Sequence, residues 1–227
     1  MKNHRWNTDE YEKRAKQLYR TELHKLYPSE AWALYPTLIK CKDVLDLGCG
    51  NGAMSSISKK ISPKIKYTGV DHQERMISTA KKEFSFASFY SDDLLSFLEK
   101  SKKFDCIMSW SVLKSFENWT KIIELMINKS NKYIIFDIRV ANTDIYAFDK
   151  DICWADYGGK SGPIVYLNYK TFKNSIMKFK NNLSNIKFIA YQSEWGKYVH
   201  LKKGLGNETF LVTCLLEKNM KEKKFEI

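Results

Sequence analysis

The chain has 227 residues, enough for one domain with a single core and little more. Apolar residues make up 44% and charged residues 28%, an ordinary globular balance, and no apolar run approaches the ~18 residues that a membrane span requires. The net charge of +12 raises nucleic acid as a partner, but the only arginines are Arg5, Arg14, Arg20, Arg75 and Arg139, so lysine carries most of it; that favours a solvated surface over bidentate phosphate or base recognition.

Residues 1–43 read as a helical, aromatic arm ahead of the first strand. Thr8 can cap a first helix, and Asp9 and Glu10 suit its first turn. Pro28-Ser29-Glu30 starts a second, which Pro36 must kink or end. Packing accounts for most of the aromatic residues; Trp6 and Tyr11 are candidates for a lid over a ligand. The five cysteines, Cys41, Cys49, Cys106, Cys153 and Cys214, form no C-x-x-C pair, so neither a zinc site nor a disulfide framework is expected. With no apolar signal core in the first residues, a reducing cytoplasm is the expected setting.

From Val44 the pattern alternates. Val44–Leu47, Tyr67–Val70, Phe86–Tyr90, Phe104–Met108 and Tyr133–Ile138 read as strands. Helical spacing falls between them, over Ala53–Ile61, Met76–Phe84, Leu94–Lys100 and Ile122–Ile127. Alternation of this kind argues an α/β fold with a parallel sheet and helices on both faces. Thr171–Phe179 reads as another helix, and Ile186–Tyr191 and Phe210–Leu216 as the last two strands. Residues 140–165 lack periodicity and are rich in acids and aromatics, a composition suited to shaping a substrate pocket. The basic tail, 218–227, is expected to be loose.

The run Asp46-Leu47-Gly48-Cys49-Gly50-Asn51-Gly52 ends the first strand. Its glycines permit a tight turn and a close ligand approach, and the helix that follows presents unpaired N–H groups. Gly48-x-Gly50-x-x-Ala53 also fits a loose dinucleotide fingerprint. However, Asp46 at the strand tip and Gly52 one position early point away from it. Asp71 closes the second strand 19 residues past Gly52, where a carboxylate can accept ribose hydroxyls or cap the next helix. Asp92-Asp93 closes the third.

The run Asp46-x-Gly48-x-Gly50-x-Gly52 strongly resembles motif I of the class I S-adenosylmethionine (SAM) methyltransferases. The resemblance covers about Val44 to Leu216. It implies a Rossmann-like three-layer sandwich whose mostly parallel seven-stranded sheet ends in an antiparallel strand. It implies SAM as cofactor, with Asp46, Gly48, Cys49, Gly50, Asn51 and Gly52 around its methionine part and Asp71 at its ribose. His72, Met76, Asp92 and Asp93 would meet its adenine side, and Ser109 and Trp110 would line it after the fourth strand. That segment, Ser109 to Phe116, carries Lys114 and Ser115 where many relatives have histidines. It lacks the signatures of enzymes that methylate amino groups of nucleic-acid bases, pyrimidine carbon 5 or protein arginine. Ser109 stands where metal-dependent relatives carry an aspartate, so no metal is expected. Methyl transfer asks chiefly for alignment, with a base where the acceptor must lose a proton. His200, Asp137 and Tyr146 are the candidates. The expected acceptor is a small polar metabolite, with a sugar or glycan precursor as the class that family analogy suggests; RNA and a non-catalytic SAM-binding role are the alternatives.

Overall fold

The fold is that of a computed structural model, which describes residues 8–17, 19–206 and 208–219. Trp6, the side chain of Tyr11 and the tail beyond residue 219 lie outside the described residues.

Helices α1 (Asp9–Gln17) and α2 (Pro28–Leu38) precede the sheet. Pro28 occupies the first turn of α2, where its missing N–H costs nothing, and the Glu30 carboxylate accepts from Tyr27 N at 2.9 Å. Pro36 lies in the last turn, and the helix stops two residues later.

Five strands alternate with helices: β1 (Asp43–Leu47), α3 (Ala53–Ile61), β2 (Lys66–Asp71), α4 (Glu74–Glu83), β3 (Ser88–Ser91), α5 (Leu94–Lys100), β4 (Phe104–Ser109), α6 (Trp119–Lys129) and β5 (Ser130–Ala141). Two more short strands follow, β6 (Cys153–Asp156) and β7 (Ser161–Pro163), then α7 (Tyr169–Met177), β8 (Leu183–Glu194), β9 (Val199–Leu201) and β10 (Glu208–Lys218). The main sheet has the order β3-β2-β1-β4-β5-β10-β8. β1 to β5 pair in parallel, whereas β10 runs antiparallel to both β5 and β8. This is the seven-stranded, mostly parallel Rossmann-like sheet with an antiparallel last strand.

Each face has its own core. Leu45, Leu47 and Ile107 pack with α5, α6 and α7, and Val44, Cys106 and Met108 with α2, α3 and α4. α6 shows the cause: Trp119, Ile122, Ile123, Met126 and Ile127 recur at helical spacing and are wholly buried. Each such side chain contributes about 1.5–3 kcal/mol of burial. β4, central in the sheet, is buried at every position.

The stretch 140–165, expected to lack regular structure, contains β6 and β7. With β9 these make a second, three-stranded antiparallel sheet. Cys153, Ala155, Tyr157, Ile164, Tyr166 and Trp195 form its small core. The strand order reverses between β1 and β4: β2 and β3 follow on one side of β1, and β4 and β5 on the other; ligands of such sheets bind at the strand carboxyl ends beside that point.

Candidate active site

The glycine turn builds the first wall. Gly48 N and Cys49 N both donate to Val70 O, at 2.8 and 3.1 Å, which folds the turn back over the tip of β2. Gly52 sits at φ +80°, and a Cβ there would lie 2.7 Å from the Phe89 ring and 2.9 Å from Ala80. Gly50, at φ +53°, differs: a Cβ there would meet nothing within 4 Å, so this stretch of backbone borders open space. The chain therefore needs glycine at 52 for packing and leaves the backbone at 50 open to a ligand.

Asp71 anchors the turn. One carboxylate oxygen accepts from Gly50 N at 3.0 Å and the other from Gln73 N at 2.9 Å, so the acid braces the turn and caps α4 together. Burial raises its pKa, while the N–H groups of Gln73 and Gly50 and the nearby His72 oppose the rise. His72 Nδ1 lies 3.4 Å from the same carboxylate. Asp46 stands behind the turn, only 2% exposed, and accepts from the Tyr67 hydroxyl. Burial pushes its pKa up to about 7 against the pull of that bond. Cys49 turns its sulfur toward Gly69, and burial raises its thiol well above the usual range.

The segment after β4 builds the second wall. Ser111 is the one described non-glycine residue with positive φ, at +60°. Its backbone N–H and hydroxyl both donate to Asp137, within β5. A left-handed serine costs of order 1 kcal/mol, so Asp137 is what holds the loop in place. Burial raises the pKa of Asp137, and the Ser111 N–H and Lys114 lower it. Next to Ser111, the Trp110 indole Nε1 is shielded from solvent and has no hydrogen-bond partner.

The two walls enclose a cleft of about 780 Å³, counting its open mouth. Gly48, Asp71, His72 and Gln73 line it on one side, and Trp110, Ser111, Lys114 and Phe116 on the other. Arg14 from α1 and Tyr157 from the small sheet close it. α1 is held there from two directions. Arg75 of α4 pairs with Glu12 at 2.9 Å and Asp9 at 3.5 Å, and the Arg14 guanidinium lies 4.8 Å from the centre of the Tyr198 ring.

Of the residues expected from the sequence, Gly48, Asp71, His72 and Trp110 meet in this lining. Cys49, Gly50, Asn51 and Gly52 belong to the turn itself, with Asp46 beneath. Ser109 is wholly buried, and its hydroxyl donates to Leu47 O at 3.1 Å, so it braces β4 against β1. Met76 is buried within α4. Asp93 caps α5, accepting from Leu95 N and Ser96 N, and Asp92 accepts from Asp93 N. Asp137 lies behind Ser111. His200 and Tyr146 fall outside the cleft lining: His200 stacks on Trp154 across β9 and β6, and Tyr146 is exposed. Arg14, Gln73, Ser111 and Tyr157 were not singled out as site residues. No motif marks Arg14. Ser111 follows a strand tip on the same edge as the glycine turn, a position that flags it once the strand order is known.

An open backbone at Gly50, an unpartnered indole N–H and a braced carboxylate together fit a nucleoside-bearing ligand with a polar tail. The fold and this cleft define a class I, Rossmann-like methyltransferase. A family model described as Methyltransferase domain matches residues 40–156, just over half of the chain, and the protein belongs to that family. Solved structures of the same fold include the N-terminal domain of EvdMO1, with S-adenosylhomocysteine (SAH) and D-fucose, at 13% identity and TM-score 0.62 over 93% of this chain and 97% of that one. The plantazolicin methyltransferase BpumL, in complex with SAH, is similar at 17% identity and TM-score 0.62 over 95% and 93%. Magnesium protoporphyrin IX methyltransferase from Synechocystis PCC 6803, with bound SAM, matches at 12% identity and TM-score 0.55 over 94% of both chains. No curated protein matches significantly. Among the described residues, no helix is long and apolar enough to cross a membrane, and no group of three or more His, Cys, Asp or Glu could hold a metal ion.

Proposed function

We propose that the protein transfers a methyl group from SAM to an oxygen or nitrogen of a small polar metabolite. The observation that carries this reading is convergence: the glycine turn, Asp71 and the segment after β4 come from three strands and line one cleft at their carboxyl ends. SAM supplies a methyl group activated by its sulfonium, which departs as a neutral thioether. The chain's work is therefore to bind and align. Gly48–Gly52, braced by Asp46, takes the amino-acid part. Asp71 has oxygens already aimed by two backbone N–H groups and takes the ribose hydroxyls. His72, Met76 and Asp92, with the backbone of Asp93, flank the base, and Trp110 offers its free N–H beside the reacting centre. Residues 1–43 act as a lid, since α1 already spans from α4 to the small sheet, and residues 140–165 supply the acceptor wall through Tyr157. A sugar or glycan precursor is one acceptor that the family resemblance suggests, and the EvdMO1 domain, solved in the presence of SAH and D-fucose, is a fold-mate that agrees with it. The free thiols suit a reducing cytoplasm.

Calorimetric titration with SAM tests the reading. The intact protein should bind SAM, and Asp71→Ala should weaken binding at least tenfold, about 1.4 kcal/mol. A folded protein that does not bind SAM refutes it.

A further inference from the structure

We propose that the acceptor is an acid and that the atom methylated is an oxygen of its carboxylate; this rests on the methyltransferase reading above. The charged residues of the cleft outside the glycine turn and β2 are both cations, Arg14 and Lys114, and they stand among Trp110, Phe116 and Tyr157, with Leu94, Val112 and two serines completing the wall. Of the three acids of α1, Asp9 and Glu12 are taken by Arg75, and Glu10 turns its carboxylate toward Gly158. The Arg14 guanidinium instead lies over Tyr198, which stacks on Tyr157 with ring centres 5.2 Å apart. Lys197 adds a further cation 4.9 Å from the centre of the same Tyr198 ring. Against these, the one acid that lines the cleft is Asp71, committed to Gly50 and Gln73. Asp137 lies behind the wall, bonded to Ser111 and within electrostatic reach of Lys114.

The proton inventory points the same way. A hydroxyl or ammonium acceptor must lose a proton as it is methylated. Apart from Asp71 and His72, which stand together at the β2 tip, the polar side chains of the lining are a guanidinium, an ammonium, a phenol, an indole, an amide and hydroxyls, with no further carboxylate or imidazole among them. A carboxylic acid arrives already ionised at neutral pH and needs no base. Its oxygen forms the new bond to the methyl carbon while the carbon–sulfur bond breaks and its electron pair stays on sulfur. The anion becomes a neutral ester, the sulfonium becomes a neutral thioether, and no proton moves. Arg14 and Lys114 hold the carboxylate, and the aromatic side chains cover the body of the acceptor. A sugar acid meets this description, and a neutral sugar does not.

The test uses 2-naphthoate and its uncharged match, 2-naphthamide, titrated into the protein saturated with SAH. Naphthoate should bind at least about tenfold tighter than the amide, and more weakly as salt rises. Arg14→Gln and Lys114→Gln should each weaken naphthoate about tenfold and leave the amide unchanged. With SAM in place of SAH, methyl 2-naphthoate should be found by mass spectrometry. Equal affinity for amide and acid overturns the proposal, as does an SAH-saturated protein that ignores naphthoate or binds it without forming the ester. A loss of SAH affinity in Arg14→Gln with naphthoate unaffected also overturns it, and assigns Arg14 to the cofactor's own carboxylate. Failure of the intact protein to bind SAH strikes the reading beneath, and is told apart because it occurs before any acid is added.

Discussion

Asp46→Asn removes one charge from beneath the glycine turn and little else. The amide keeps the shape of the carboxyl and can still accept from the Tyr67 hydroxyl. In the folded chain, burial raises the Asp46 pKa from 3.8 to about 7. Between those values the folded state keeps a proton that the unfolded state has lost. The stability from this group is therefore complete below about pH 4 and disappears as pH rises through 7. At about 1.4 kcal/mol for each tenfold change in proton affinity, the whole effect is about 4 kcal/mol, and about 3 kcal/mol of it falls between pH 5 and pH 8. The asparagine variant cannot ionise and escapes this loss. Glu30, Asp71 and Asp137 are also raised and contribute in the same sense; Glu30 and Asp137 are common to both proteins and cancel in the comparison, whereas Asp71, which repels Asp46, is relieved of that repulsion in the variant. Urea unfolding of both proteins at pH 5, 6, 7 and 8 measures the difference. The wild type should lose about 3 kcal/mol relative to Asp46→Asn across that range. Two stability profiles that stay parallel within about 0.5 kcal/mol would show that Asp46 ionises in the folded chain as it does in water, and the burial argument would fail.

Gly52→Ala should cost about 2–4 kcal/mol by thermal or urea unfolding, since its methyl meets the Phe89 ring at 2.7 Å on top of the left-handed backbone. Gly50→Ala carries only the backbone penalty, of order 1–2 kcal/mol, yet its methyl enters the space assigned to SAM, so calorimetry should find the larger loss of SAM affinity there. Ser111→Gly relieves about 1 kcal/mol of left-handed backbone strain but gives up the hydroxyl bond to Asp137, so the melting temperature should move by no more than roughly 2 °C. Asp137→Ala should lower stability by about 1–3 kcal/mol by freeing the Ser111 N–H, and Ser111→Gly added to it should recover part of that loss.

Val44 to Phe136 was legible because its information is local: each strand is an apolar run, each helix repeats at its own period, and the functional acids stand at strand tips. Boundaries moved by a few residues, most of all in β5, which runs from Ser130 to Ala141 rather than Tyr133 to Ile138. The small sheet was not legible. β6 and β7 have four and three residues, too few for a period, and β7 contains both Gly162 and Pro163. The other neighbour of β6, β9, lies about 48 positions further on, with Cys153 opposite Leu201. Arg14 was hidden for the same reason: its place in the cleft depends on Arg75 and Tyr198, which no reading of α1 alone supplies. The Ser109 side chain is engaged by the backbone of Leu47, and that of Asp93 caps the first turn of α5, the alternative its place before a helix allows, which leaves the contact expected of Asp93 to its backbone.

Both excursions that build the small sheet are closed at their bases. The chain leaves β5 at Ala141 and returns beside it at Asn168, with Ala141 N donating to Leu167 O at 2.7 Å. The segment carrying β9 leaves β8 at Glu194 and rejoins at Glu208, directly opposite. Each is thus a cassette with a fixed socket. Lengthening either by a few residues adds only tenths of a kcal/mol of closure entropy, because that cost grows with the logarithm of length, and leaves every register of the seven-stranded sheet untouched. The seven-stranded scaffold and the two cassettes can therefore diverge at separate rates, since neither excursion sets a strand register of the sheet that carries it.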